Sequence, residues 1–280
     1  MLWTAMMALY PVGASVLVGC SSDAGNDESR TDDGPLLIRD IEAIRDQVIV
    51  EKDVGVVVRD GKRLSANVFR PASEEAAPVI MSLTAYGKDI GPDGYPQAIE
   101  NAELPGFEFG TIEVSEWTSW EAPDPATWVP LGYAVVYVDV RGYFASEGDA
   151  GVLSPQDGED FYDAIEWAGA QAWSNGNVGL MGVSYLAISQ WVAATANPPS
   201  LKAIMPWEGQ TDAVREVLYH GGVPETAFVE FWIDRVNGLA NTPPLPADLL
   251  LTLHPNMPEL LPFLPTVGIA LDQVTAPALI

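Results

Sequence analysis

Cysteine is nearly absent, with one residue, Cys20, among 280. One thiol cannot close an internal disulfide, and it excludes a thiolate metal cluster. Histidine is almost as scarce: His220 and His254 leave little for a metal site, and neither metal nor cofactor is expected. Positive charge is short too. Thirteen Lys and Arg stand against 39 Asp and Glu, a formal net charge of −26. Such a surface repels phosphate backbones and anionic lipid, which excludes nucleic acid as a partner. The plain reading is an acidic surface outside the cytoplasm, with no need to invoke cationic substrates. What is present is a globular composition, 48% hydrophobic and 19% charged, long enough for a large core in one or two domains.

Leu2 to Gly19 is nearly all apolar and runs into Leu17-Val18-Gly19-Cys20. A short apolar run with small residues before a cysteine looks like a bacterial lipoprotein signal, cleaved before Cys20, which then carries the lipid. The run is short for a membrane span and is interrupted by Pro11. No Lys or Arg precedes it, so the usual basic start is missing, and a plain cleaved signal or a segment of the mature fold are the alternatives. The expected location is extracytoplasmic, with the membrane met only through the lipid anchor. Ser21 to Gly34 is polar without apolar periodicity and reads as a tether. Residues 1–20 are therefore assigned as signal and 21–37 as linker.

The body carries strands separated by helices. Ile38 to Ile49 reads as a short helix; Val54 to Arg59 and Leu64 to Arg70, joined by Asp60-Gly61, read as a hairpin. Pro78 to Thr84 and Tyr133 to Val140 are apolar runs of buried-strand length. Between them, Lys88 to Pro130 lacks any period and reads as a long excursion over the sheet. Ser154-Pro155 opens a helix with Phe161, Ala164, Ile165 and Ala168 on its apolar face. Its early acids, Asp157, Glu159 and Asp160, suit a solvated, dipole-matched face better than a catalytic pair. Val178 to Val183 then reads as a strand that passes through Ser184 straight into a helix from Tyr185. Gly182 stands where a side chain would collide with the bend. This is a nucleophile elbow: it raises a serine hydroxyl at the carboxyl end of a sheet and aims the Tyr185 N–H beside it. The general G-x-S-x-G pattern is broken at Leu186. Asn197-Pro198-Pro199 ends the helix, and Leu201 to Trp207 is a further strand. These βαβ units imply an α/β fold with a mostly parallel sheet, the core spanning 38–215. From 216 to 267, prolines break short apolar stretches, as in a lid of short helices, and 268–280 reads as the start of the next core strand.

Val56 to Pro71, Gly132 to Gly148, Trp173 to Trp191 and Leu201 to Trp207 resemble the X-prolyl dipeptidyl-peptidase-like hydrolases of the cocaine esterase (CocE/NonD) family. The G-x-S-Y-x-G elbow and the D-x-R-G strand end carry the resemblance, with Ala187 in place of the last elbow glycine. It implies an α/β-hydrolase core, a helical cap and a following jelly roll. It also implies a nucleophile at Ser184 and an oxyanion hole from the Tyr185 N–H and the Tyr86 hydroxyl. The family's acid and histidine come after the cap, so they are expected beyond residue 280, with this sequence the amino-terminal part of a longer hydrolase. His220, His254, Asp212 and Asp234 fall in the presumed cap and are weaker candidates. Among Trp117, Trp120, Trp128, Trp207 and Trp232, Trp207 is the best pocket-lining candidate because it ends a strand on the elbow's side. The expected activity is cleavage of an ester or amide, acyl or X-Pro dipeptidyl, in a small-molecule or peptide substrate, through an acyl-enzyme. Transfer of the acyl group to another acceptor is not separable from this. The alternative is a catalytically inactive lipid-anchored binding domain or a truncated product.

Overall fold

The computed structural model describes residues 36–92, 112–152, 154–220, 223–225, 228–243 and 271–278. Asp60-Gly61 turns the chain between β2 (Val48–Val57) and β3 (Arg63–Pro71), which pair antiparallel with Val57 opposite Arg63. Gly61 takes φ +84°, as the tight turn requires. β2 starts six residues before the expected strand, because a bulge after Glu51, with Asp53 at φ +54°, carries the pairing across a polar interruption. β3 pairs antiparallel with β6 (Ala134–Asp139). Beyond it, β4 (Ala77–Thr84), β7 (Ser174–Val183) and β8 (Leu201–Trp207) complete a six-stranded sheet in the order β2-β3-β6-β4-β7-β8, parallel from β6 onward.

Both faces of the sheet are covered. Along β6, Ala134, Val136 and Val138 join one core while Val135 and Tyr137 join another, the period of two that a buried strand gives. The first core receives helix α2 (Pro155–Gly169) through Phe161, Ala164, Ile165 and Ala168, and helix α3 (Tyr185–Thr195) through Leu186, Trp191, Ala193 and Ala194. The second lies under the one-turn helix α1 (Pro125–Trp128) and holds Phe69 and Val129, with Trp117 and Trp128 packed on it.

Three expectations need correction. The helix over Ile38 to Ile49 is replaced by a short strand β1 (Leu36–Arg39), parallel to β5 (Ile112–Ser115), and a single 3-10 turn at Arg45–Gln47. Pairing with a distant segment satisfies this backbone, overriding a weak local preference. β5 and α1 also give structure to part of the excursion, while 93–111 lie outside the described residues. Lastly, Asp157 and Asp160 do not form a solvated face: both are buried. Asp157 closes a capping box with Ser154, and Asp160 receives two hydrogen bonds from Arg141, at 2.6 and 2.7 Å.

The D-x-R-G stretch is thereby explained. Asp139 ends β6, Arg141 binds Asp160 and Asp60, and Gly142 turns at φ +73° where a Cβ would meet the Ala150 nitrogen at 2.2 Å. Downstream of β8 come a π-helical turn (Val214–Leu218), a two-residue hairpin of β9 (Tyr219–His220) and β10 (Val223–Pro224), and helix α4 (Phe228–Leu239). Val236 of α4 is buried in the first core. Residues 244–270, most of the remaining lid expectation, lie outside the described residues. Ala278 bridges Ile204 in parallel, placing the chain on the outer side of β8 where a further strand is expected.

The Arg141–Asp160 pair yields a stability prediction. Asp160→Ala leaves a buried guanidinium short of its main partner and is expected to cost about 3–5 kcal/mol. Joint replacement by Arg141→Met and Asp160→Leu should recover much of that loss in urea unfolding. Equal losses for the single and double changes would remove the pair as the cause.

Candidate active site

β7 ends at Val183 and α3 begins at Tyr185, so one residue makes the whole reversal. Ser184 sits there at φ +57°, ψ −120°. This region is unfavourable for a residue with a Cβ, at a cost of about 1–3 kcal/mol, and persists only where neighbours impose it. The neighbours are two backbone hydrogen bonds from other segments: Val183 N–H donates to the Glu121 carbonyl at 3.1 Å, and Ser184 N–H to the Trp207 carbonyl at 3.0 Å. The Ser184 carbonyl accepts from Ala187 and Ile188, starting the helix. A Cβ on Gly182 would lie 2.5 Å from Leu186 Cβ, so a glycine is needed there. Ala187, in place of the family glycine, is accommodated from the other side: Gly209 approaches so closely that a Cβ on it would fall 2.7 Å from Ala187 Cβ.

Tyr86 comes to the same place from the end of β4. Its hydroxyl accepts from Trp232 Nε1 at 3.0 Å and has the Ser184 side chain beside it. Its loop is tightly held. Tyr86 N–H donates to Thr84 Oγ1 at 2.9 Å, Gly87 turns at φ +102°, and Lys88 N–H donates to Asp139 Oδ1 at 2.6 Å. The Lys88 ammonium is buried between Asp53, at 2.7 Å, and Asp89. Burial works against that ammonium, but the hydrogen bonds to the two carboxylates outweigh it and its pKa is raised. Asp139, left without a charge partner of its own, is pushed up to about 7 by burial. Tyr86 is raised well above an ordinary phenol, first by burial and then by the charge of Glu121, so it stays a neutral donor.

Tyr185 supplies the first N–H of α3, which has no carbonyl a turn earlier to receive it. Its ring is fully buried, edge-on to Tyr86 at 6.0 Å and 6.4 Å from the Trp232 ring. Ser184, Tyr86 and Tyr185, named from the sequence, therefore converge. Others do not. Trp207 contributes its carbonyl to the elbow while its side chain is 52% exposed. Trp117 and Trp128 pack on the second core, and Trp120 is buried in the first. His220 is exposed, its Nε2 against the Glu216 carbonyl of its own turn. Asp212 pairs with Arg215 at 2.6 Å, and Asp234 is exposed on α4. His254 and Cys20 lie outside the described residues. No group of three or more His, Cys, Asp or Glu side chains converges as a metal site among the described residues.

Sequence reasoning missed Glu121 and undervalued Trp232. Glu121 takes φ +61°, and its Oε2 is buried without a hydrogen-bond partner. Burial pushes its pKa up to about 8; a hydrogen bond from the Trp120 side chain and the nearby Arg235 charge oppose that, and Glu208 adds to it. No local signal marks this residue, whereas Trp232 stands at helical spacing from the buried Val229 and Val236.

Because the folded state holds Glu121 protonated well above its usual pKa of 4.5, its contribution to stability is complete below about 4.5 and is lost as pH rises through about 8. Glu121→Gln should leave stability at pH 4 unchanged and raise it at pH 9, at about 1.4 kcal/mol for each pH unit over which the states differ in protonation. Asp139 changes in the same direction in both proteins, so the difference between their urea midpoints isolates Glu121. A difference independent of pH would contradict the assignment.

Comparison with known proteins gives the chain relatives in sequence and in fold. The X-Pro dipeptidyl-peptidase (S15 family) pattern matches residues 60–256. Cocaine esterase of Rhodococcus sp. (strain MB1 Bresler) is 35% identical over 173 residues, 62% of this chain and 26% of that protein. A putative Xaa-Pro dipeptidyl-peptidase of Bacillus anthracis is 30% identical over 185 residues, 59% of this chain and 29% of that one. The crystal structure of a CocE/NonD family hydrolase from Staphylococcus aureus superposes with a TM-score of 0.73 at 42% identity, over 82% of this chain and 40% of that one. The matched regions thus cover between 26% and 40% of these relatives' length. With its α/β-hydrolase fold, the chain belongs to the X-Pro dipeptidyl-peptidase (S15) family, which includes the CocE/NonD hydrolases.

Proposed function

We propose that the protein is a serine hydrolase that cleaves an ester or amide, acyl or X-Pro dipeptidyl, through an acyl-enzyme on Ser184. The observation that carries this reading is the convergence of a strained Ser184, the first N–H of α3 and the Tyr86 hydroxyl. The printed activities of the relatives, an esterase and Xaa-Pro dipeptidyl-peptidases, support the same bond classes. Ser184 Oγ attacks the substrate carbonyl carbon, and the carbonyl oxygen becomes an alkoxide. That oxygen receives hydrogen bonds from the Tyr86 O–H and the Tyr185 N–H, with the N-terminal end of α3 behind it. Collapse expels the alcohol or amine, and water then releases the acid. A general base must take the serine proton, with a carboxylate to orient it. His220 is not assigned that role, since its ring nitrogen is engaged with Glu216.

In the full chain a fluorophosphonate is expected to label the wild type and not Ser184→Ala. Tyr86→Phe should slow labelling by about 10²–10³-fold, the loss typical of one oxyanion donor. An unlabelled wild type would favour the alternative, a catalytically inactive lipid-anchored binding domain or truncated product. For the amino terminus we propose lipid attachment at Cys20, on the strength of the apolar run and small residues ahead of it. Radiolabelled fatty acid should enter the wild type and be lost in Cys20→Ser; label that survives the substitution would remove the anchor from the proposal.

A further inference from the structure

The contact between α4 and the Tyr86 loop has a direction that chemistry fixes. An indole N–H donates and cannot accept. The bond from Trp232 Nε1 to the Tyr86 hydroxyl, 3.0 Å long, therefore occupies a lone pair of the phenol oxygen. The phenol keeps its own proton to donate, and the Ser184 side chain lies beside it. One turn along α4, the Arg235 guanidinium lies 5.6 Å from the centre of the Tyr86 ring. Both cap-helix residues thus act on one phenol, Trp232 on its oxygen and Arg235 on its ring.

α4 is seated well enough to impose this. Val236 is fully buried in the first core, and Val229 and Ile233 pack with Val217. At its carboxyl end Asn241 N–H donates to the Gly142 carbonyl at 2.8 Å, and Ala240 bridges Tyr143. The Trp232 ring is also held beside the buried Tyr185 ring. The helix is therefore tied both to the loop after β6 and to the residue that follows the nucleophile.

We propose that Trp232 is a positioning residue for the oxyanion hole: its N–H holds the Tyr86 phenol so that the phenol proton points to the oxygen developing beside Ser184. This rests on the serine-hydrolase reading given above. A phenol that receives a hydrogen bond on its oxygen is also a stronger donor through its own proton, because linked hydrogen bonds polarise one another. The benefit falls on the transition state, where the carbonyl oxygen gains charge, and little on the bound substrate.

The test is a double-mutant cycle on acylation of Ser184 by a short p-nitrophenyl ester in the full chain. Trp232→Phe is expected to slow acylation about tenfold with KM nearly unchanged, the size of one ordinary hydrogen bond. Tyr86→Phe is expected to slow it more, and the double variant no further than Tyr86→Phe alone, because Trp232 acts through that hydroxyl. Replacing Trp232 by 3-benzothienylalanine, which keeps the ring shape without the N–H, should reproduce the loss and guards against a packing effect. Multiplicative losses in the double variant, or a wild-type rate with benzothienylalanine, would overturn the positioning role while leaving the hydrolase reading intact. A wild type that is not acylated at Ser184 would overturn both.

Discussion

A serine held at positive φ between a strand that stops and a helix that starts at once is the constraint on which the site depends. The bend is costly for a residue with a side chain, so it must be imposed from outside the bend itself. Glu121 and Trp207 impose it, each offering a carbonyl to one of two consecutive N–H groups. Those carbonyls come from segments far apart in the chain, one within the long excursion and one at the end of β8. The elbow is thus a property of the assembled sheet more than of the residues around Ser184. Gly182 and Gly209 then clear the space on either side of α3 that the tight junction requires.

Around the elbow the physical setting is buried and aromatic. Tyr86 and Tyr185 are buried, and Glu121 and Asp139 are held toward their neutral forms by burial. Anionic charge is disfavoured in such surroundings unless donors meet it. The Lys88 ammonium does not face this task, being spent on Asp53 and Asp89 to clamp the loop that carries Tyr86. The acidic surface and the acidic network under the site are therefore different things: one is solvated, the other is part of the frame.

Legibility followed the range of the interaction. The hairpin at Asp60-Gly61, the cap at Ser154-Pro155 and the reversal at Ser184 announce themselves because turn and cap chemistry acts between residues a few places apart. The same local reasoning failed at Ile38 to Ile49, where a partner strand 76 residues away decided the conformation. It failed again at Asp160, whose burial depends on Arg141 reaching back from the loop after β6. Among the tryptophans it preferred Trp207, at the right end of the right strand, whereas Trp232 is the one whose side chain meets Tyr86.

The order of residues alone was enough to establish the α/β class and to mark the abrupt strand-to-helix reversal at Ser184, and by resemblance it named Tyr86 and Tyr185, which the fold brings near it. Those conclusions rest on short-range patterns of apolar period, turn residues and motif spacing, which exist before the chain folds. Packing in three dimensions was needed to bring Glu121 under the elbow, to turn Asp157 and Asp160 inward and to lay Trp232 and Arg235 against one phenol. Such meetings join segments far apart in the chain, and a single sequence carries no record of which distant side chains will share a desolvated space.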